Sequence, residues 1–173
     1  EGSFGSHPYA HIPWNVELVL LYDKKENMEI YGVYEGSETN YAHIKTDSLE
    51  EALKFAEQIG FPEHFLILRP DDGYSKHIVK DIDSVVKLKD TFHWCLTKSR
   101  SGNVFIETDM RAHANPTRMK NIEKATQDLI TKLMNFCPEC GAPGFIIKEA
   151  IKGLPCERCG LSSEMTLKYL YSC

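Results

Sequence analysis

The sequence predicts a mixed α/β protein, with a largely antiparallel sheet covered by helices and a C-terminal zinc ribbon. Three observations predict it. Runs of strand period and helical period follow one another without a regular βαβ repeat. Two C-x2-C pairs lie close together near the C-terminus. Hydrophobic residues make up 42% and charged residues 26% of the chain, a globular balance that excludes a disordered one. The 173 residues suffice for one ordinary core and a small appendage. They divide at the cysteine-rich end: residues 1–134 read as an α/β core and 135–173 as a zinc ribbon, and both ends of the chain look cut.

Residues 1–14, with two Gly and two Pro, read as an irregular loop whose Ser3 and His7 could line a ligand site. Val16–Asp23 and Met28–Tyr34 alternate as strands around the charged turn Lys24–Asn27, and Tyr41–Lys45 reads as a third strand. Ser48 and Glu51 form a capping box that opens a helix. Its apolar face is Leu49, Ala52, Leu53, Ala56 and Ile59, and Gly60 and Pro62 stop it. Phe65–Leu68 is a continuous apolar run, expected to be a strand buried on both faces. Asp71-Asp72-Gly73 reads as an exposed turn. Ser84 caps a second helix with Val85, Leu88, Phe92, Cys95 and Leu96 as its buried stripe, which makes Cys95 a small hydrophobe. Val104–Asp109 is a strand, and a third helix from Pro116 carries Met119, Ile122, Ala125, Thr126, Leu129, Ile130 and Leu133 as its core stripe, up to about Phe136.

Charge narrows the class of partner. The net charge of −5 argues against a general nucleic-acid binder. Residues 1–110 carry a net of −8 and residues 111–173 a net of +3, so a polyanion would prefer the C-terminal part. No apolar run is long enough to span a membrane and no signal peptide is visible; the cytoplasm is expected from the reduced cysteines that a zinc ribbon needs.

The densest polar stretch is Thr108–Met119, T-D-M-R-A-H-A-N-P-T-R-M. If the chain stays extended, Asp109, Arg111, His113 and Asn115 share one face and small apolar residues share the other. Asn115 then caps the helix that Pro116 begins, and a helix N-terminus suits an anion. Arg111 and Arg118 could clamp a phosphate or carboxylate, Asp109 could orient an arginine or hold a metal, and His113 could transfer a proton. The plainer reading is a cap with a structural Asp–Arg pair.

Cys137-x2-Cys140-Gly and Cys156-x2-Cys159-Gly are separated by 15 residues, with Phe145–Lys148 as a strand between them. Four thiolates on two knuckles are the closed ligand set of a structural Zn(2+), and such a site needs a reducing compartment; a pair of disulfides or redox pairs is the other reading. Cys173 is left over, as a free thiol or the start of a further pair.

Taken together, E-G-S-F-G-x-H-P at 1–8, T-D-M-R-A-H-x-N-P-T-R-M at 108–119, C-P-x-C-G-x-P-G-F at 137–145 and G-L-P-C-x-x-C-G at 153–160 resemble an uncharacterised bacterial family with a domain of unknown function. The resemblance covers nearly the whole chain. It implies the ribbon, an α/β segment before Glu1 and another Cys after Cys173, and it brings no activity with it. A fainter fold-level likeness is to nucleotide-cleaning triphosphate pyrophosphatases, which would imply Mg(2+) held by carboxylates and basic residues on phosphates.

Two functions follow as expectations. The first is a zinc-binding protein that binds or acts on a phosphorylated or carboxylated small molecule at the Asp109–Arg118 corner, a nucleotide among the candidates. If it is an enzyme, hydrolysis of a phosphorylated small molecule leads. The second is a non-enzymatic module whose ribbon contacts nucleic acid or a protein. The scattered Lys148, Lys152, Arg158 and Lys168 favour the first.

Overall fold

The computed structural model describes residues 1–7, 9, 10, 12–71 and 77–173. Among the described residues it is mixed α/β, with antiparallel sheets and three α-helices. The turn expected at Asp71-Asp72-Gly73 lies, past Asp71, outside the described residues. Among the described residues no helix is long and apolar enough to cross a membrane. The chain forms two compact units: unit 1 is Glu1–Glu17 with Glu35–Glu123, and unit 2 is Leu18–Tyr34 with Lys124–Cys173. Both units are discontinuous in the chain.

Strands β1 (Gly2–Ser6), β2 (Pro13–Asp23) and β3 (Met28–Gly36) form one sheet in that order. The N-terminal segment was expected to be an irregular loop; it is instead strand β1, antiparallel to β2 with Gly2 opposite Glu17 and Ser6 opposite Pro13. Backbone pairing needs no apolar alternation, so a Gly- and Ser-rich strand leaves little sequence signal.

The core of unit 1 sits under a second sheet. Its strands are β4 (His43–Thr46), β5 (Leu66–Pro70), β6 (Val79–Ile82) and β7 (Val104–Thr108), in the order β4-β7-β5-β6 and antiparallel throughout. Helices α1 (Leu49–Gln58) and α2 (Val85–Lys98) cover it. Leu66, Leu68, Ile82, Val104 and Ile106 meet Ala52, Phe55, Leu88, Phe92 and Cys95 in one buried cluster. The expectation of β5 buried on both faces is corrected: Leu66 and Leu68 are buried, while Ile67 and Arg69 are half-buried. Burial pushes the Cys95 thiol up to about 11, which makes it an inert core residue.

The helix starts follow the sequence in part. Ser48 Oγ accepts from the Glu51 N–H at 3.4 Å, one half of the expected box. Glu51 does not return the bond to Ser48. Its carboxylate accepts from Thr46 Oγ1 at 2.6 Å, and the Ser48 N–H donates to Thr46 Oγ1 at 3.0 Å. The cap is thus a three-residue relay. Ser48→Ala should cost about 1 kcal/mol in a urea titration; no change in midpoint would show that Thr46 and Glu51 hold the helix start alone.

Helix α3 (Pro116–Leu133) begins where Asn115-Pro116 places it. Its buried residues are Asn121, Ala125 and Leu129. Met119 and Ile130, expected in the core stripe, are 48% and 46% exposed. In unit 2 the helix backbone lies directly on Gly32 of β3, where a Cβ would overlap the Ala125 carbonyl oxygen and sit 2.5 Å from Leu129 N. Asp128 accepts from the Val33 N–H at 2.8 Å, and Lys132 donates to the Tyr31 carbonyl at 3.0 Å. Burial raises the Asp128 carboxyl, but Lys132 and the Val33 N–H outweigh it and hold the group below the usual carboxylate range. Unit 2 ends in the antiparallel hairpin β8 (Ile146–Lys152) and β9 (Thr166–Ser172).

Candidate functional site

The corner after β7 folds around a buried carboxylate, that of Asp109. Its N–H donates to the Phe65 carbonyl at 2.9 Å and its side chain is fully buried. A buried carboxylate needs donors, and Arg111 supplies them. The Arg111 N–H and Nε reach Asp109 Oδ1 at 3.0 and 2.9 Å, Nε also reaches Oδ2 at 3.0 Å, and Nη2 lies on Oδ2. Bending back to make these bonds ends the extended chain, and Ala112–Ala114 forms a single 3₁₀ turn. The continuous polar row expected for Asp109, Arg111, His113 and Asn115 is therefore broken. Asp109 and Asn115 are buried, and His113 is 63% exposed with Nε2 3.6 Å from Asp81.

Asn115 does cap α3, its Oδ1 accepting from the Arg118 N–H at 3.0 Å. Its amide donates to Asn40 Oδ1 at 2.8 Å and to the Asp109 carbonyl at 3.3 Å, so its polar atoms serve the fold. Arg118 grips Glu17 with Nε on Oε1 at 2.8 Å and Nη2 on Oε2 at 3.3 Å, while Nη1 donates to the Met110 carbonyl. Glu17 is almost wholly buried. Its partner in β1 is Gly2, where a Cβ would press on the Glu17 carboxylate and Arg118 Nη2 at 2.6–2.7 Å. The guanidinium of Arg118 lies over the Phe4 ring, 5.0 Å from its centroid.

Asp81 is the unexpected member. The β5–β6 ladder shifts register between Leu66 opposite Ile82 and Leu68 opposite Val79, so Lys80 and Asp81 form a bulge opposite Ile67. Asp81 takes the left-handed conformation there, φ 59°, which Asp tolerates better than most residues. Bulges re-aim side chains, and this one brings Asp81 Oδ1 2.5 Å from Arg111 Nη2. The Arg111 guanidinium holds the Asp81 carboxyl below the usual range. Asp109 first, then Asp81, raise Arg111 and keep it charged.

Phe4, Tyr41, Ile67, Lys80, Glu107, Arg111 and Arg118 are among the residues around a cleft of about 420 Å³ at this corner. Among the described residues, the bonds of Arg111 use its backbone N–H, Nε and Nη2, leaving Nη1 uncommitted, and Lys80 makes no hydrogen bond or ion pair. His113 and Asn115 do not line the cleft. Ser3 is exposed on β1, and His7 Nδ1 accepts from the N–H groups of Tyr9 and Ala10 at 3.3 and 3.1 Å, with its ring edge-on to Trp14. Neither reaches the cleft; their neighbour Phe4 does. Of the two roles expected for Asp109, orienting an arginine is the one its contacts perform. Both its oxygens are engaged by Arg111.

In unit 2 the two cysteine knuckles have the same backbone. The Gly141 N–H donates to the Cys137 carbonyl and the Cys137 N–H to Ala142, at 2.9 and 2.8 Å; the Gly160 N–H donates to Cys156 and the Cys156 N–H to Leu161, both at 2.8 Å. Gly141 and Gly160 have φ of 72° and 70°, which is why glycine follows each second cysteine. The N–H groups of Cys140 and Glu139 hold Cys137 below the ordinary thiol range, and those of Arg158 and Cys159 do the same for Cys156. Among the described residues, the cluster able to hold a metal is Cys137, Cys140 and Cys173, whose sulfurs all lie within 4.8 Å of one another. Sharing hydrogen bonds with Cys137 and Cys140 pushes the Cys173 thiol up to about 11. Cys156 and Cys159 stand outside that group.

Fold and site thus define a mixed α/β protein with a clustered-thiol hairpin and an arginine–carboxylate corner. The chain belongs to the family described as Domain of unknown function (DUF6671), whose model matches residues 1–173. No curated protein and no solved structure matches it.

Proposed function

We propose that the chain is a zinc-binding protein whose unit 1 takes a small molecule bearing a phosphate or carboxylate at the Arg111 corner. One observation carries the ligand reading: Arg111 and Lys80, whose Nη1 and ammonium are uncommitted among the described residues, line one cleft whose other residues include Phe4 and Tyr41. Arg111 is fixed by Asp109 and Asp81, so little freedom is lost when its remaining N–H groups bind an anion. The aromatic residues offer a face to an apolar or heterocyclic body, as in a nucleotide. Zinc is favoured over harder cations because the clustered donors are thiols, and free thiols suit a reducing compartment such as the bacterial cytoplasm.

The test is a thermal-shift screen of nucleotides, sugar phosphates and small carboxylates, with and without Mg(2+). A ligand at about 100 times its Kd should stabilise the protein by about 2.7 kcal/mol. Lys80→Met should abolish most of that shift while leaving the unliganded melting temperature unchanged, because Lys80 is exposed. Arg111→Ala is the weaker control, since it leaves Asp109 buried without its partner. An anion-induced shift equal in wild type and Lys80→Met would place the ligand elsewhere. No shift from any anion would sink the reading.

A further inference from the structure

We propose that Cys137, Cys140 and Cys173 belong to one metal centre and that Cys156 and Cys159 belong to a different one. The inference rests on the zinc reading above and changes its ligand set, from one four-cysteine site to two sites at opposite ends of the β8–β9 hairpin.

The near end is defined by distance. Cys140 Sγ and Cys173 Sγ lie 3.7 Å apart. Two thiolates on one tetrahedral zinc, each with a bond of about 2.3 Å, are separated by about 3.8 Å. The pair therefore sits at the spacing a shared metal requires, and Cys137 is close enough to occupy a third corner. The ladder puts Cys173 there: Ser172 pairs with Ile146, and Phe145 stacks on Tyr171 with ring centroids 5.3 Å apart. Cys173 thus returns beside the first knuckle at the end of β9. It also borders a cleft of about 550 Å³ with Glu26, Glu29 and Gly144, which gives an ion a route to the thiols.

The far end is excluded from that centre by length. A single four-cysteine site needs the 15-residue spacer to bring the two knuckles together. Instead it runs through a single strand, β8, from Ile146 to Lys152, and Lys152 pairs with Thr166 at the other end. Six strand steps of about 3.3 Å carry the chain about 20 Å, whereas two sulfurs on one zinc lie at most about 4.6 Å apart. One ion cannot join Cys137 and Cys140 to Cys156 and Cys159. Each knuckle has the full set of turn hydrogen bonds on its own, so each can present two thiolates independently.

The experiment is zinc protection of the six cysteines in the wild-type chain, with alkylation of each read by peptide mass across a zinc titration, followed by Cys173→Ser and Cys156→Ser/Cys159→Ser. Cys137, Cys140 and Cys173 should become protected together, at a zinc concentration different from that protecting Cys156 and Cys159. Cys173→Ser should weaken protection of Cys137 and Cys140 at least tenfold and leave Cys156 and Cys159 unchanged, while the double variant should leave the first group unchanged. Joint protection of Cys137, Cys140, Cys156 and Cys159 with Cys173 fully reactive would overturn the partition. Absence of protection at every cysteine would instead remove zinc binding itself. The wild-type pattern does not depend on any variant folding.

Discussion

Arg118→Ala is expected to destabilise unit 1 by about 3–5 kcal/mol, because it strands Glu17 as an uncompensated charge in the interior. Glu17 has 1% of its side chain exposed and Arg118 16%, and both carboxylate oxygens rest on the guanidinium. Little else is available to Glu17: on the β1 side the close approach of Gly2 fills the space. Arg118→Lys should recover only part of the loss, since an ammonium cannot reproduce the two-pronged contact or reach the Met110 carbonyl at the same time. The double change Glu17→Leu/Arg118→Leu should be milder than Arg118→Ala, because the desolvation cost disappears with the charges. Urea midpoints at constant m-value would measure all three. A loss below about 1 kcal/mol for Arg118→Ala would mean that water reaches Glu17 and that the pair behaves as a surface one.

Gly32→Ala should be the most damaging single-methyl change in unit 2, costing about 3 kcal/mol. The new Cβ would enter the space of the Ala125 carbonyl and Leu129 N–H, backbone groups one helical turn apart that cannot rotate away. Moving the helix would also pull Asp128 from the Val33 N–H and Lys132 from the Tyr31 carbonyl. Gly5→Ala is the matched control, with nothing within 4 Å of its added Cβ, and should stay within about 0.5 kcal/mol of wild type. Equal melting temperatures for the two variants would contradict the close packing of α3 on β3.

The sequence was most readable where period, cap and breaker agreed. Ser48, Gly60, Ser84 and Asn115-Pro116 each mark a helix end that the structure shares. It was least readable where position is set by partners distant in the chain. Asp81 reaches Arg111 only through a bulge, and no local pattern announces a bulge at Lys80-Asp81. Glu17 did leave a trace: it shares a strand face with Val19 and Leu21, and an acid on an apolar face asks for a buried partner. The Asp109–Arg111 pair lies within the motif and was open to reading there, but the further carboxylates, Asp81 for Arg111 and Glu17 for Arg118, lie 30 and 101 residues away, so those two pairings could not be read from the motif itself. The cysteine spacing indicated two knuckles. Whether a 15-residue spacer folds back or runs straight depends on β9, whose Leu-Lys-Tyr-Leu-Tyr run was not recognised as a strand.

The two side chains that α3 sends to β3 have a consequence for how copies of this chain meet. β3 closes one side of its sheet, and the outward amide of Val33 and carbonyl of Tyr31 are the groups through which a foreign strand would extend it. Asp128 and Lys132 occupy both. An acid and a base one helical turn apart thereby act as a terminator for sheet growth. Strand-by-strand recruitment of a second molecule at that point would first have to displace a carboxylate and an ammonium that are already bonded to each other at 2.6 Å.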